Sequence, residues 1–116
     1  MSSHHTYLFY ILSGAFLLLA CSDPAPQQSI PELYEQAMTF VAQSKMDSAQ
    51  ILFRQIVKRD STQYTALLGI AEIHMRMRRI EKAIPFLQRA IRVDTTRVDA
   101  PFQLAQAYRM VGRDDR

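Results

Sequence analysis

A chain of 116 residues has room for one domain, and its 48% hydrophobic and 22% charged content is that of a globular protein. A net charge of +3, from 14 basic and 11 acidic side chains, is too slight for a nucleic-acid-binding surface. One cysteine excludes an internal disulfide framework, and with only three histidines a structural zinc site is not expected.

The N-terminal element differs from the rest. Residues 1–20 carry no Lys, Arg, Asp or Glu, and Tyr7 to Ala20 is an apolar run broken only by Ser13 and Gly14. A membrane-spanning helix needs about 20 apolar residues, so this run is too short. It suits the apolar region of a secretory signal peptide, typically ~7–15 residues. Leu18-Leu19-Ala20-Cys21 then resembles the lipobox of bacterial lipoproteins. The resemblance implies a diacylglyceryl group on the Cys21 sulfur and cleavage before it, making Cys21 the first residue of the mature chain. His4 and His5 stand where that family has Lys or Arg. The competing readings are an uncleaved signal anchor and a buried free cysteine. Residues 1–20 are thus expected to be a signal peptide, and residues 21–29 a lipidated cysteine with a polar, Pro-containing tether. Ser22, in place of an aspartate after the cysteine, favours outer over inner membrane delivery on the enterobacterial rule. A lipid-anchored location in a bacterial envelope follows as an expectation.

From Ile30 onward the chain repeats itself at a shift of 34 residues without a gap. Ala37 falls on Ala71 and Ala105, Phe40 on His74 and Tyr108, Ala49 on Ala83, Phe53 on Leu87, and Asp60 on Asp94. Within each unit apolar residues recur three and four apart, which is helical spacing. Ser29-Ile30-Pro31-Glu32 carries the signature of a helix start: a capping serine, a first-turn proline and a glutamate three residues on. Asp60-Ser61-Thr62 and Asp94-Thr95-Thr96 are expected to end helices and to cap the next ones. Pro85 falls about one turn into a helix, where a slight bend is expected.

The period and the residues on it resemble the tetratricopeptide repeat, a helix-turn-helix unit of about 34 residues. Taking Ile30, Tyr64 and Val98 as first positions, the small eighth position is Ala37, Ala71 and Ala105. The aromatic eleventh is Phe40, His74 and Tyr108, and the twentieth is Ala49 and Ala83. Ile56 is larger than the alanine usual at position twenty-seven, and Leu33, Leu67 and Pro101 replace the tryptophan often found at position four. The expected fold is all-α: residues 30–63 and 64–97 as two repeats, and residues 98–116 as the first helix of a third.

That resemblance also implies a function. Stacked repeats line a concave groove with their first helices, near positions five, nine and twelve. Here these are Tyr34, Met38 and Val41, then Leu68, Glu72 and Met75, then Phe102, Gln106 and Arg109. The expected role is a non-catalytic scaffold binding a peptide or helix of a protein partner in this groove. Lysine at position five and asparagine at position nine, which grip a C-terminal carboxylate in one family subset, are absent. An envelope assembly lipoprotein and the docking module of a longer enzyme are the alternative roles.

No phosphate-binding loop, nucleophile elbow or His-Glu metal helix is present, so neither catalytic residues nor a cofactor or metal are expected. His74 holds an aromatic core position and reads as packing. Arg76, Arg78, Arg79 and Lys82 form a basic cluster at a turn, and the methionines read as core filler. The third unit stops at Arg116, just past its first helix. Ala100, Phe102, Ala105, Met110 and Val111 leave that helix apolar on more than one face, so a truncated frame or docking, including self-association, is expected there.

Overall fold

The computed structural model describes residues 24–112. They form five helices: α1 Ile30–Ala42, α2 Met46–Arg59, α3 Tyr64–Arg76, α4 Ile80–Val93 and α5 Asp99–Met110. No strand is present among the described residues. The principal contacts join consecutive helices, α1 to α2 through α4 to α5, as in a repeat stack. The expected signal peptide and Cys21 lie outside the described residues.

Local chemistry sets the helix ends. Ser29 caps α1 in a complete capping box: the Glu32 amide donates to Ser29 Oγ at 3.4 Å, and the Ser29 amide donates to Glu32 Oε2 at 2.9 Å. The turns after α1, α3 and α5 are built alike. Ser44, Arg78 and Gly112, one repeat apart, have φ of 59°, 62° and 73°. After α1 the Lys45 amide donates to the Phe40 carbonyl at 2.9 Å, and after α3 the Arg79 amide donates to that of His74 at 2.8 Å. These six-to-one bonds close a Schellman motif after α1 and after α3.

The two Asp-x-Thr segments end α2 and α4 as expected but do not cap the helices that follow. Asp60 Oδ1 accepts from the Thr62 amide at 2.9 Å, and Asp94 Oδ1 from the Thr96 amide at 3.0 Å. Each carboxylate is spent on its own turn. The residues preceding α3 and α5 are Gln63 and Val98, and neither makes a side-chain cap. Helix α4 runs unbroken through Pro85, since a proline this early removes only one ladder bond.

The core shows how the units stack. Helix α3 divides its buried residues between two clusters. Ala66, Ile70 and Ile73 pack with Leu33, Ala37, Phe53 and Ile56, while Leu67 and Ala71 pack with Ala83, Leu87, Ala90, Ala100 and Ala107. Positions three and ten of each first helix therefore face the preceding unit, and positions four and eight face the unit's own second helix. The end helices use one set each. In α1, Leu33 and Ala37 are buried while Glu32 and Thr39 are exposed. In α5, Ala100 and Ala107 are buried while Pro101 and Ala105 are exposed. Ile56, oversized for its position, is accommodated in the cluster that includes Ala66.

Candidate peptide-binding cleft

Side chains from four elements build a cleft between the first helices of the first two units. Tyr34, Met38 and Val41 come from α1, while Thr65, Leu68, Gly69, Glu72, Ile73 and Arg76 come from α3. Phe53 of α2 and Arg97 from the turn before α5 complete a lining that encloses about 220 Å³. Phe53 reaches the lining because position 69 has no side chain: a Cβ there would lie 2.8 Å from the ring tip. Tyr34 meets the Phe53 ring edge-on at 5.9 Å between centroids, fixing the floor. Met38 stays 43% exposed on the rim, unlike a core methionine.

Charges stand around this apolar floor. Gln103 of α5 donates to Glu72 Oε1 at 2.8 Å, so this carboxylate already has a partner. Arg97 pairs with Asp99 at 2.8 Å and lies over the Tyr64 ring at 4.3 Å. The Tyr64 hydroxyl donates to Asp99 and accepts from the Ala100 amide at 3.1 Å. Burial, and then the Asp99 bond, hold the Tyr64 phenol above its ordinary range, while the same bond holds the Asp99 carboxyl below its own. These contacts lock the second unit to α5. Arg76, at the opposite end of the cleft, has no ion-pair or hydrogen-bond partner among the described residues.

His74 belongs to the packing and lies away from the cleft. It is 3% exposed and stacks on Phe86 at 5.9 Å. The Gln50 amide donates to its Nε2 at 3.0 Å, which places the ring proton on Nδ1, an atom without a partner. Burial, and then the charges of Arg54, Arg79 and Lys82, push its pKa below the usual value. Arg54 and Arg89 lie 5.7 and 5.8 Å from the Phe86 centroid. The ring is thus held neutral in a basic surrounding.

Of the groove residues expected from the sequence, the cleft brings together Tyr34, Met38, Val41, Leu68 and Glu72. Met75 is half-buried against the second core cluster. Phe102, Gln106 and Arg109 lie on α5 outside the cleft lining, Phe102 being 63% exposed. Sequence reasoning missed Thr65, Gly69 and Arg76, although with Glu72 they recur at helical spacing along one face of α3. Arg97 had no signal, because it reaches the cleft from a turn. Among the described residues no cluster of metal-binding side chains occurs, and no helix is long and apolar enough to cross a membrane.

A stack of helical hairpins with a cleft on its first helices defines a helical-repeat protein. The tetratricopeptide repeat model matches residues 40–107, more than half of the chain, and the chain belongs to that family. Among solved structures it is similar to a crystal structure of MamA, with 24% identity and a TM-score of 0.70 over 75% of this chain and 51% of that one. The AMB-1 MamA structure follows at 16% identity and a TM-score of 0.69, over 76% of this chain and 48% of that one. The MSR-1 MamA structure gives 17% identity and 0.67, over 97% and 64%. At these identities the likeness is one of fold. This chain spans about half the length of the first two structures. No curated protein matches it.

Proposed function

We propose that the protein is a non-catalytic scaffold that binds a protein partner in the cleft between α1 and α3 and is held at a bacterial membrane by lipid on Cys21. The observation that carries the binding reading is the apolar floor of Tyr34, Phe53 and Leu68 in an open cleft, rimmed by the exposed Met38. A groove of this kind suits docking by side-chain contact, and a flexible methionine adapts to its occupant. A photo-crosslinking amino acid at position 38 should capture a partner in cells, and one at Arg92, exposed on α4, should not. Equal capture from both positions would reject the cleft.

Support for the anchor is the lipobox-like Leu18-Leu19-Ala20-Cys21 at the end of the apolar run. Delivery to the outer membrane is favoured by Ser22. Stable anchoring takes more than one acyl chain, because one binds only marginally. Cys21→Ser should therefore abolish labelling by a fatty-acid probe and leave an unprocessed precursor or release the protein from the membrane fraction. Equal label on the mutant would end the lipoprotein reading. The exposed apolar face of α5 supports a further contact, self-association, taken up in the Discussion.

A further inference from the structure

We infer that the cleft selects a peptide segment in which a large apolar side chain sits beside a carboxylate, the apolar group resting on the Phe53 floor and the carboxylate meeting Arg76. This rests on the cleft being the protein-binding groove. The floor is apolar, and an incoming side chain would be covered from the α1 side by Tyr34 and Met38.

The charges are unequal at the two ends of α3. Thr65 and Arg76 are about 16 Å apart along the helix at 1.5 Å per residue. Near Thr65 the cation is Arg97, already paired with Asp99. At the other end Arg76 is exposed, lines the cleft and has no partner among the described residues. Glu72, one turn from Arg76, keeps its charge while its Oε1 accepts from the neutral Gln103 amide, and it forms no ion pair with Arg76. Of the two cations in the lining, Arg76 is therefore the one without a carboxylate partner among the described residues. A basic occupant would be repelled there, while a carboxylate gains charge-assisted hydrogen bonds from the planar guanidinium. The polarity is one-sided, so it orients the segment as well as selecting it.

Fluorescence anisotropy on the full chain in mild detergent tests this with three short fluorescein-labelled peptides. One carries two glutamates beside a leucine–phenylalanine pair, the second has lysines for the glutamates, and the third has alanines for the apolar pair. The acidic–apolar peptide should bind tightest and the alanine peptide weakest, with the preference for acid falling as salt is raised. Arg76→Ala should weaken the acidic–apolar peptide by about fivefold, the effect of about 1 kcal/mol, and should strengthen the lysine peptide by relieving its repulsion. Arg76→Lys should recover part of the loss. Thr65→Trp, at an exposed position on the cleft wall, should block all binding by filling the space. Equal affinity for the acidic and lysine peptides, still lost in Thr65→Trp, would overturn the acidic preference and leave the groove standing. Binding undiminished by Thr65→Trp would overturn the groove itself. Failure of every peptide to bind would overturn the inference.

Discussion

Ala71 and His74 lie one turn apart on α3, and their surroundings dictate opposite tolerances. Ala71 is 0% exposed at the crossing of α3 and α4, where a side chain larger than methyl has nowhere to go. Ala71→Leu should cost roughly 1–3 kcal/mol by overpacking, and thermal unfolding of the variant checks it. An unchanged midpoint would mean that the crossing is looser than its burial implies. His74 is buried as the neutral ring, with its pKa below 6.5. On unfolding its pKa returns to about 6.5, so at lower pH the unfolded chain binds the extra proton. Stability from this group is therefore complete above about pH 6.5 and is lost as pH falls toward the folded pKa. Asp60, Asp94 and Asp99 are held below 3.8, so their losses fall in a separate, more acid window. Urea unfolding should give a lower midpoint at about pH 5 than at about pH 7, and His74→Phe should remove that difference. The replacement matches Phe40, the aromatic one repeat earlier, and eliminates the unpartnered Nδ1. A variant that keeps the full difference would place the titration elsewhere.

At the scale of the element, the turns set the repeat as much as the helices do. Gly112 takes the left-handed conformation at no steric cost, but Ser44 and Arg78 hold the same φ with a Cβ. That strain is worth about 1–2 kcal/mol, against roughly 0.5–1 kcal/mol of backbone freedom that glycine loses on folding. Arg78→Gly should therefore stabilise the second unit by about 0.5–1 kcal/mol, and Ser44→Gly the first by a similar amount. A lowered unfolding midpoint in either variant would show that the side chain contributes more than the strain removes. The helices and their start at Ser29 were legible in the sequence because both depend on local spacing: three-four apolar periodicity and a three-residue capping box. The roles of Asp60 and Asp94 were not. An aspartate can cap a following helix or bond an amide two residues on, and the residue types alone do not separate these outcomes. The cleft was legible in part for a related reason. Positions five and nine of the first two units point to it by helix phase alone. The contributions of Phe53, from a second helix, and Arg97, from a turn, depend on how the elements stack. The Glu72–Gln103 bond joins α3 to α5 at the edge of the cleft, while Phe102, Gln106 and Arg109 remain outside it.

The whole molecule has two unlike ends. On α1 the positions that would face a preceding unit are polar: Glu32 and Thr39 are exposed, and Gln36 is hydrogen-bonded to Gln28. This is the polar outer face a terminal repeat requires. On α5 the equivalents of the deeply buried Leu67 and Ala71 are Pro101 and Ala105, and both are exposed. Met110 is 50% exposed, and with Val111 it borders a furrow whose other wall is Arg78, Arg79, Ile80 and Lys82. Among the described residues nothing covers this face. Fully burying a side chain of this size stabilises by about 1.5–3 kcal/mol, so several together are enough to drive association. Residues 30–116, without lipid, should self-associate or aggregate at about micromolar concentration, where the association free energy needed is roughly 8 kcal/mol. Replacing Met110 with Gln and Val111 with Lys should favour the monomer, and because Val111 also packs on the core cluster of Leu67 and Ala71, helix content measured alongside separates lost association from lost folding. Appending a second helix of consensus repeat sequence should also give a monomer, and it should raise the unfolding midpoint because each added interface stabilises its neighbour. Sedimentation of the three proteins separates the outcomes. A parent that sediments as a folded monomer would show that α5 needs no covering, and the exposure of Ala105 and Met110 would then have no bearing on assembly.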